Sequence, residues 1–328
     1  MNFLVTGVAG FIGATTALRL LNEGHAVIGV DSLDSHYSVK LKRMRLSRLH
    51  ACKDFTFHQL DLAEPGSLLN LPEAARIDRV IHLAAQAGVR RSMEDPHPYV
   101  SSNIVGHLTV LEFCRQMPQR PELIYASSSS VYGEKAAEKF SEDSECGDPA
   151  SLYAVTKRTD EMMSQAYADL HGVQQTGLRL FTVYGPWGRP DMAYWLFTLR
   201  ALRDETIQLF NHGDMVRDFT YIDDAVNGIL KVATDQSPSS RENNGHRIFN
   251  LGSGCAETLD ALVSAVETAL GKSIRVEHRP MQPGDVYRSC ADISKFASQF
   301  GYVPQVPLVE GIRRFVDWFT SDPELALI

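Results

Sequence analysis

Short apolar runs alternate with amphipathic stretches through the first half of the chain. Phe3–Thr6 reads as a buried strand and Ala14–Glu23 as a helix with Ala17, Leu18 and Leu21 on one face. Ala26–Val30 is a second apolar strand ending at Asp31, so these three elements form a βαβ unit. Phe55–Gln59, Arg79–Leu83, Leu123–Ser127 and Gln175–Leu180 read as further strands. A short helix precedes the Arg79 strand, and Val100–Met117 and Ser151–Leu170 read as long helices. This alternation predicts an α/β fold with a Rossmann-like, doubly wound parallel sheet covered on both faces.

The rhythm changes after Pro186. Leu196–Arg203, Leu259–Leu270 and Pro307–Phe319 read as helices, and Ile207–Leu209, Phe249–Leu251 and Ile274–His278 as strands. A helix within Tyr221–Thr234 is expected to start near Asp223 or Asp224, either of which can cap it. Residues 235–245 are polar and rich in Pro, Ser and Asn, as a surface loop is. The division expected is a nucleotide-binding domain over 1–185, to which later segments cross back. A smaller, mixed α/β substrate domain follows over 186–328.

Composition narrows the function classes. Of 328 residues, 44% are hydrophobic and 22% charged, values that exclude a disordered, collagen-like or disulfide-scaffold chain. There are 32 basic and 40 acidic residues, a net charge of -8 that argues against a nucleic-acid partner. No apolar stretch approaches the ~20 residues that span a bilayer, so no membrane partner is expected. The opening MNFLVTGVAGFIG has no basic segment and reads as a strand running into a glycine turn, not as a signal peptide. No two of the five cysteines lie closer than 32 residues, so no CxxC pair or metal site is expected and the thiols suit a reducing cytoplasm. Lys40, Lys42, Arg43, Arg45, Arg48 and Lys53 make one basic stretch, read first as a solvated helix face and second as a rim near the adenosine side of a dinucleotide.

That dinucleotide is suggested by Gly7, Gly10 and Gly13, a GxxGxxG turn between strand and helix, with Phe11 and Ile12 inside it. Glycine lets the backbone approach a pyrophosphate, and a helix N-terminus offers it free N–H groups. The spacing departs from GxGxxG, and alone it fits an ordinary tight turn as well. Asp31 lies 18 residues beyond Gly13, where a carboxylate accepts ribose hydroxyls and repels a 2′-phosphate, so NAD is expected over NADP. Ser32 follows it. Asp61 fits either the adenine edge or a plain turn. Leu83, Ala84, Ala85 and Gln86 after the fourth strand fit either passage beneath a nicotinamide or tight strand–helix packing.

The candidate chemistry follows at Ser127-Ser128-Ser129-Ser130, which ends a strand, and at Tyr153 and Lys157, four apart on one helix face. A free tyrosine, pKa ~10, is a poor base. A neighbouring ammonium stabilises its phenolate, and a serine hydroxyl can orient a substrate alcohol. The trio suits proton removal from an alcohol whose carbon is being oxidised.

TGVAGFIG (6–13), HLAAQAGVR (82–90), SSSSVYG (127–133), YAVTK (153–157) and RDFTYIDD (217–224) together resemble the extended short-chain dehydrogenase/reductases of the sugar-nucleotide epimerase and dehydratase group, over essentially the full length. The resemblance implies a catalytic Ser128, Tyr153 and Lys157 and a permanently bound NAD. It implies contacts to that NAD from Gly7, Gly10, Phe11, Ile12, Gly13, Asp31, Asp61, Leu62, Ala84 and Lys157. Asn103 is implied as a supporting site residue, although a plain helix polar residue is an equal reading. It also implies a homodimer built on Val100–Met117 and Ser151–Leu170, and a product used in surface polysaccharide synthesis.

Within this group, similar dehydratases carry Asp-Glu before the Val-Tyr-Gly and sugar-acid decarboxylases keep the Glu. Here those places hold Ser129 and Ser130, which favours plain 4-epimerisation. FTVYGPWGRPDMA resembles the run found in UDP-glucuronate 4-epimerases, with Arg189 suited to clamp a C6 carboxylate bidentately and Thr182 as a smaller donor. The expected substrate is therefore a UDP-sugar, UDP-glucuronate being converted to UDP-galacturonate. UDP-glucose epimerisation, UDP-glucuronate decarboxylation and a catalytically silent NAD-binding scaffold are the alternatives. Arg217 and Arg288 are expected near the diphosphate, Phe210 near uracil or ribose, Asp285 at a ribose hydroxyl and Arg90 on the substrate side.

Overall fold

The apolar run Asn2–Thr6 forms β1, whose last four residues are fully buried because both faces of its sheet are covered. Ala26–Asp31 (β2), Phe55–Gln59 (β3), Arg79–His82 (β4), Glu122–Ser128 (β5) and Gln175–Leu180 (β6) follow. They are joined by α1 (Phe11–Asn22), α2 (Val39–His50), α3 (Val89–Glu94), α4 (His97–Tyr99), α5 (Gly106–Gln116) and α6 (Leu152–His171). The structure, a computed structural model, describes residues 1–133, 138–236, 245–281 and 286–328.

Beyond β6 come β7 (Thr182–Tyr184), α7 (Ala193–Leu202), β8 (Ile207–Leu209), β9 (Val216–Arg217), β10 (Phe219–Tyr221) and α8 (Ile222–Ala233). Then come β11 (His246–Leu251), β12 (Glu257–Thr258), α9 (Leu259–Leu270), β13 (Val276–His278), α10 (Ser294–Phe300) and α11 (Leu308–Ser321). Seven strands form one parallel sheet in the order β11-β6-β5-β4-β1-β2-β3. The seventh comes from the later half of the chain, His246 pairing with Gln175 and Leu251 with Leu180. Three two-stranded pieces, β7 with β10, β9 with β12 and β8 with β13, stand apart from it.

Period-2 alternation sends Phe3 and Val5 into one core and Leu4 into the other. The first core runs on through Tyr194, Trp195, Phe315 and Phe319, so the later half packs on the same face as α1. Strand order reverses on either side of β1. In such sheets the crevice beyond the carboxyl ends of the strands, at that reversal, receives the ligand.

Three local expectations are corrected. First, α1 begins at Phe11, not Ala14, because Gly10 is already extended and acts as the cap. Second, the stretch expected as one helix over Val100–Met117 starts earlier, at His97, and passes through a π-helical turn at Val100–Val105 before α5. Third, neither Asp223 nor Asp224 caps α8, which follows Tyr221 directly with no side-chain cap. Asp224 instead accepts the backbone N–H groups of Gln305 and Val306, both at 3.0 Å.

The basic stretch on α2 also departs from the solvated face first expected. Lys42 is buried and Arg45 fully so. Arg45 donates to the carbonyls of Trp187 (2.7 and 3.0 Å), Gly188 (2.7 Å) and Ala9 (3.1 Å), and to the Tyr37 hydroxyl (2.6 Å). One cation thus ties the glycine turn to the 185–189 loop.

Candidate active site

The carboxyl ends of β1, β2, β4 and β5 open into a cavity of about 950 Å³. At its floor the glycine turn is built for close approach. Gly7 sits at φ +69, and a Cβ there would meet the backbone of Leu83 and Ala84 at 2.7–2.8 Å. A Cβ on Gly13 would strike the Gly7 carbonyl oxygen. The turn leads into α1 without a side-chain cap, leaving its N-terminal dipole toward the cavity. Asp31, at the end of β2, accepts Ala9 N–H at 3.0 Å and Leu33 N–H at 2.8 Å, one on each carboxylate oxygen. Each oxygen keeps a further lone pair for a ligand hydroxyl. These residues fit a dinucleotide: a floor without side chains beneath a pyrophosphate, and a carboxylate beside the ribose.

Every residue expected to hold a cofactor lies on this wall except Asn103: Gly7, Gly10, Phe11, Ile12, Gly13, Asp31, Ser32, Asp61, Leu62, Leu83, Ala84, Ala85, Gln86, Tyr153 and Lys157. Asn103 stands behind it. Its amide oxygen accepts Gln86 N–H (2.8 Å), and its NH2 donates to the Gln86 carbonyl (3.0 Å) and to Thr156 (2.9 Å). The π-helical turn carries this fully buried side chain, which fixes the 83–86 segment after β4 to α6. Asp61 accepts Ala63 N–H at 2.9 Å, a turn role that coexists with its place on the wall.

The four serines divide by role. Ser127 is buried and donates to Glu161 at 2.7 Å. Ser128 ends β5, accepts Ser130 N–H at 3.2 Å and shares a hydroxyl contact with Ser130 at the same distance. Ser128, Ser129 and Ser130 all reach the cavity. Tyr153 sits in the first turn of α6, whose start is capped by Ser151 (Ala154 N–H, 3.2 Å). The Tyr153 backbone N–H also donates to Ser92, at 3.2 Å. Lys157, one turn on, is 97% buried and donates to the Ala126 carbonyl and to Asp160, each at 3.0 Å. Near it, burial and the Lys157 charge push His82 down to about 3, so that imidazole is neutral. His82 shares a hydrogen bond with Thr6 at 2.7 Å.

Of the residues expected to meet the sugar nucleotide, Thr182, Arg189, Phe210, Arg217 and Arg90 line the same cavity. The Arg90 guanidinium lies 5.0 Å from the Phe210 ring centroid, a cation–π contact across residues distant in sequence. Arg189 donates through Nε (3.0 Å) and Nη2 (2.5 Å) to the two oxygens of Asp191, and through Nη2 to the Ala87 carbonyl (2.9 Å). Arg288 is not on the wall; its Nε donates to the Glu138 carbonyl at 3.3 Å. Asp285 lies outside the described residues. Among the described residues no His, Cys, Asp and Glu cluster could hold a metal ion, and no helix is long and apolar enough to cross a membrane.

The NAD dependent epimerase/dehydratase family model matches residues 3–252. The chain belongs to that family. UDP-glucuronate 4-epimerase 2 of Arabidopsis thaliana is 42% identical over 330 residues, covering 97% of this chain and 76% of that one. Protein CapI of Staphylococcus aureus is 41% identical, covering 97% of this chain and 98% of its own. The crystal structure of UDP-glucuronic acid 4-epimerase from Bacillus cereus, with UDP-glucuronic acid and NAD, aligns with a TM-score of 0.89 at 34% identity, covering 98% of this chain and 99% of that one. The family fold, the nicotinamide cofactor and the parallel sheet expected from the sequence all agree with these findings.

Some residues on the wall or just behind it escaped the sequence reading. Asp191 stood in the quoted GRPDMA run without a role, and its bidentate pairing with Arg189 was signalled only by the i, i+2 spacing. Asp160 lies three residues beyond Lys157 on a helix, a spacing at which opposite charges meet. Asp34, His36, Tyr37 and Lys42 line the cavity from the loop before α2 and from α2 itself. Asp34, His36 and Tyr37 carry no sequence signal beyond that of a loop, whereas Lys42 belongs to the basic stretch whose second reading was a rim near a dinucleotide.

Proposed function

We propose that this family member catalyses the reversible C4 epimerisation of UDP-glucuronate to UDP-galacturonate through a transient 4-keto sugar. One observation carries the reading: Ser128, Tyr153 and Lys157 share a cavity with Thr182 and Arg189, while Ser129 and Ser130, at the positions where the dehydratases and decarboxylases this chain resembles carry carboxyl residues, offer only hydroxyls. The Arabidopsis thaliana and Bacillus cereus proteins named above support it.

Residues 1–185 would hold NAD through the glycine turn, Asp31, Ser32, Asp61, Leu62, the 83–86 segment and Lys157. When bound, NAD supplies the two-electron oxidation of C4 and its reversal. Tyr153, as phenolate, takes the O4 proton and later returns it. The Lys157 ammonium stabilises that phenolate, and the Ser128 hydroxyl orients O4. Residues in 186–328, with Phe210 and Arg217 foremost, would anchor the UDP end while the keto sugar turns about its link to it. A 4-keto uronate is a β-keto acid, which loses CO2 when its carboxylate bond lines up with the carbonyl π system. Arg189 uses Nε and Nη2 on Asp191, leaving the Nη1 donors, with Thr182, for holding a substrate carboxylate out of that alignment.

The Arg189–Asp191 pair also favours a second reading, UDP-glucose epimerisation, because it already offsets the charge a carboxylate would seek. Incubation of the purified protein with UDP-glucuronate and with UDP-glucose, with products and CO2 resolved, separates the two. Galacturonate product without CO2 is expected. Turnover of UDP-glucose alone overturns the uronate assignment, and CO2 release overturns epimerisation. We place the protein in the cytoplasm as a homodimer supplying a uronic acid to surface polysaccharide synthesis; its five free thiols suit a reducing compartment.

A further inference from the structure

Lys157 has a partner that the reaction does not require. Asp160 is fully buried, its Oδ2 stands 3.0 Å from Lys157 Nζ, and its Oδ1 has no partner among the described residues. A buried ion pair with a carboxylate oxygen left unmet is poor value for stability, since apolar side chains of similar volume often do as well. The other carboxylate on this face, Glu161, is already committed. It takes Arg179 at 2.8 and 2.9 Å and Arg158 at 2.8 Å. Asp160 is therefore the carboxylate left to the ammonium.

We infer that Asp160 is a positioning residue that fixes the Lys157 ammonium and sets how strongly its charge acts on Tyr153. Two of the three Nζ donors go to Asp160 and the Ala126 carbonyl, which leaves one for the cavity that Lys157 lines. The carboxylate also offsets the ammonium, so Tyr153 feels a weaker positive field than a lone lysine would impose. The groups facing the pair are Glu161 on α6, Tyr125 on β5, His82 on β4 and His107 on α5. Burial holds both imidazoles neutral, with the nearby Lys157 charge adding to the effect. Burial pushes the Asp160 carboxyl up to about 6, with Lys157 pulling the other way. The Lys157 ammonium, 3.0 Å away, is what favours the ionised carboxylate.

The sign follows from removing one negative charge, which lowers the pKa of each neighbour. In Asp160→Asn the tyrosinate midpoint of Tyr153 should move down, toward acid, relative to the native protein. It is read from near-ultraviolet absorbance, with the Tyr153→Phe curve subtracted to isolate this residue. The acid and alkaline limbs of the turnover profile should move down with it. Asp160→Ser, whose smaller side chain admits water, should give the same shift. An unmoved midpoint in both variants overturns the inference, as does a uniform loss of turnover with both limbs in place. Failure of both variants to fold also overturns it, since the pair would then be a requirement of folding. The inference rests on Tyr153 as the base, and the two fail differently: if Tyr153→Phe keeps its turnover the base assignment fails, whereas an unmoved midpoint removes only the role of Asp160.

Discussion

Tyr153 and Arg189 share one cavity, yet their loss should look different in kinetics. Tyr153→Phe removes the proton acceptor while keeping the ring and the helix turn that carries it. Turnover should fall by about 10²–10⁴-fold. UDP binding by calorimetry should stay near that of the native protein, and a variant with near-normal turnover would remove Tyr153 from the mechanism. Arg189→Met removes a charge-assisted donor pair worth ~1.5–3 kcal/mol, so kcat/KM for UDP-glucuronate should fall about 10–100-fold while UDP-glucose changes little. Equal losses on the two substrates would make Arg189 a structural residue only. The trio and the glycine turn were readable because their spacing is local: a strand end, a helix face, a turn of seven residues. The partners that temper them were not. Asp160 looks like a surface charge until the fold buries it, and an i, i+2 spacing alone does not announce the pairing of Asp191 with Arg189.

Whole elements were legible where an apolar period decided them. β3, β6, β8 and α9 have the ends read from the sequence. Elements were misread where a distant contact decides. Helical periodicity alone cannot tell that Arg45 of α2 is covered, because its acceptors at Trp187 and Gly188 lie 142 and 143 residues away. The π-helical turn is likewise invisible in sequence, since the backbone groups of Gln86 and the Thr156 hydroxyl that hold Asn103 inward are known only from the fold. Arg45→Met should leave the carbonyls of Ala9, Trp187 and Gly188 without their donor, at about 1–3 kcal/mol for a buried unmet group. A urea melt should register that cost, and KM for the sugar nucleotide should rise because the glycine turn and the 185–189 loop are no longer joined. An unchanged melt and KM would show that water replaces the guanidinium without loss.

For the molecule as a whole, the alternation of strands and helices was enough to give the α/β class and the covered parallel sheet. The sequence does not say which apolar side chains stay uncovered. Val100, Leu108, Val155 and Met162 are 38–62% exposed on the π-helical turn, α5 and α6. In the proposed homodimer a second copy would cover these side chains. Leu108→Asp should convert a dimer to a monomer in sedimentation velocity, with the far-ultraviolet spectrum kept. A native protein that sediments as a monomer would remove the dimer from the proposal.

The seventh strand has a further consequence for how this chain can be divided. β11 arrives from beyond residue 245 and pairs along all of β6, so a fragment stopped at residue 185 would leave the six-residue edge of β6 unpaired. Nucleotide capture and sugar handling thus cannot be parted by a cut in the gene. A split protein, a swapped half or a fused partner would have to carry His246–Leu251 along with the first half.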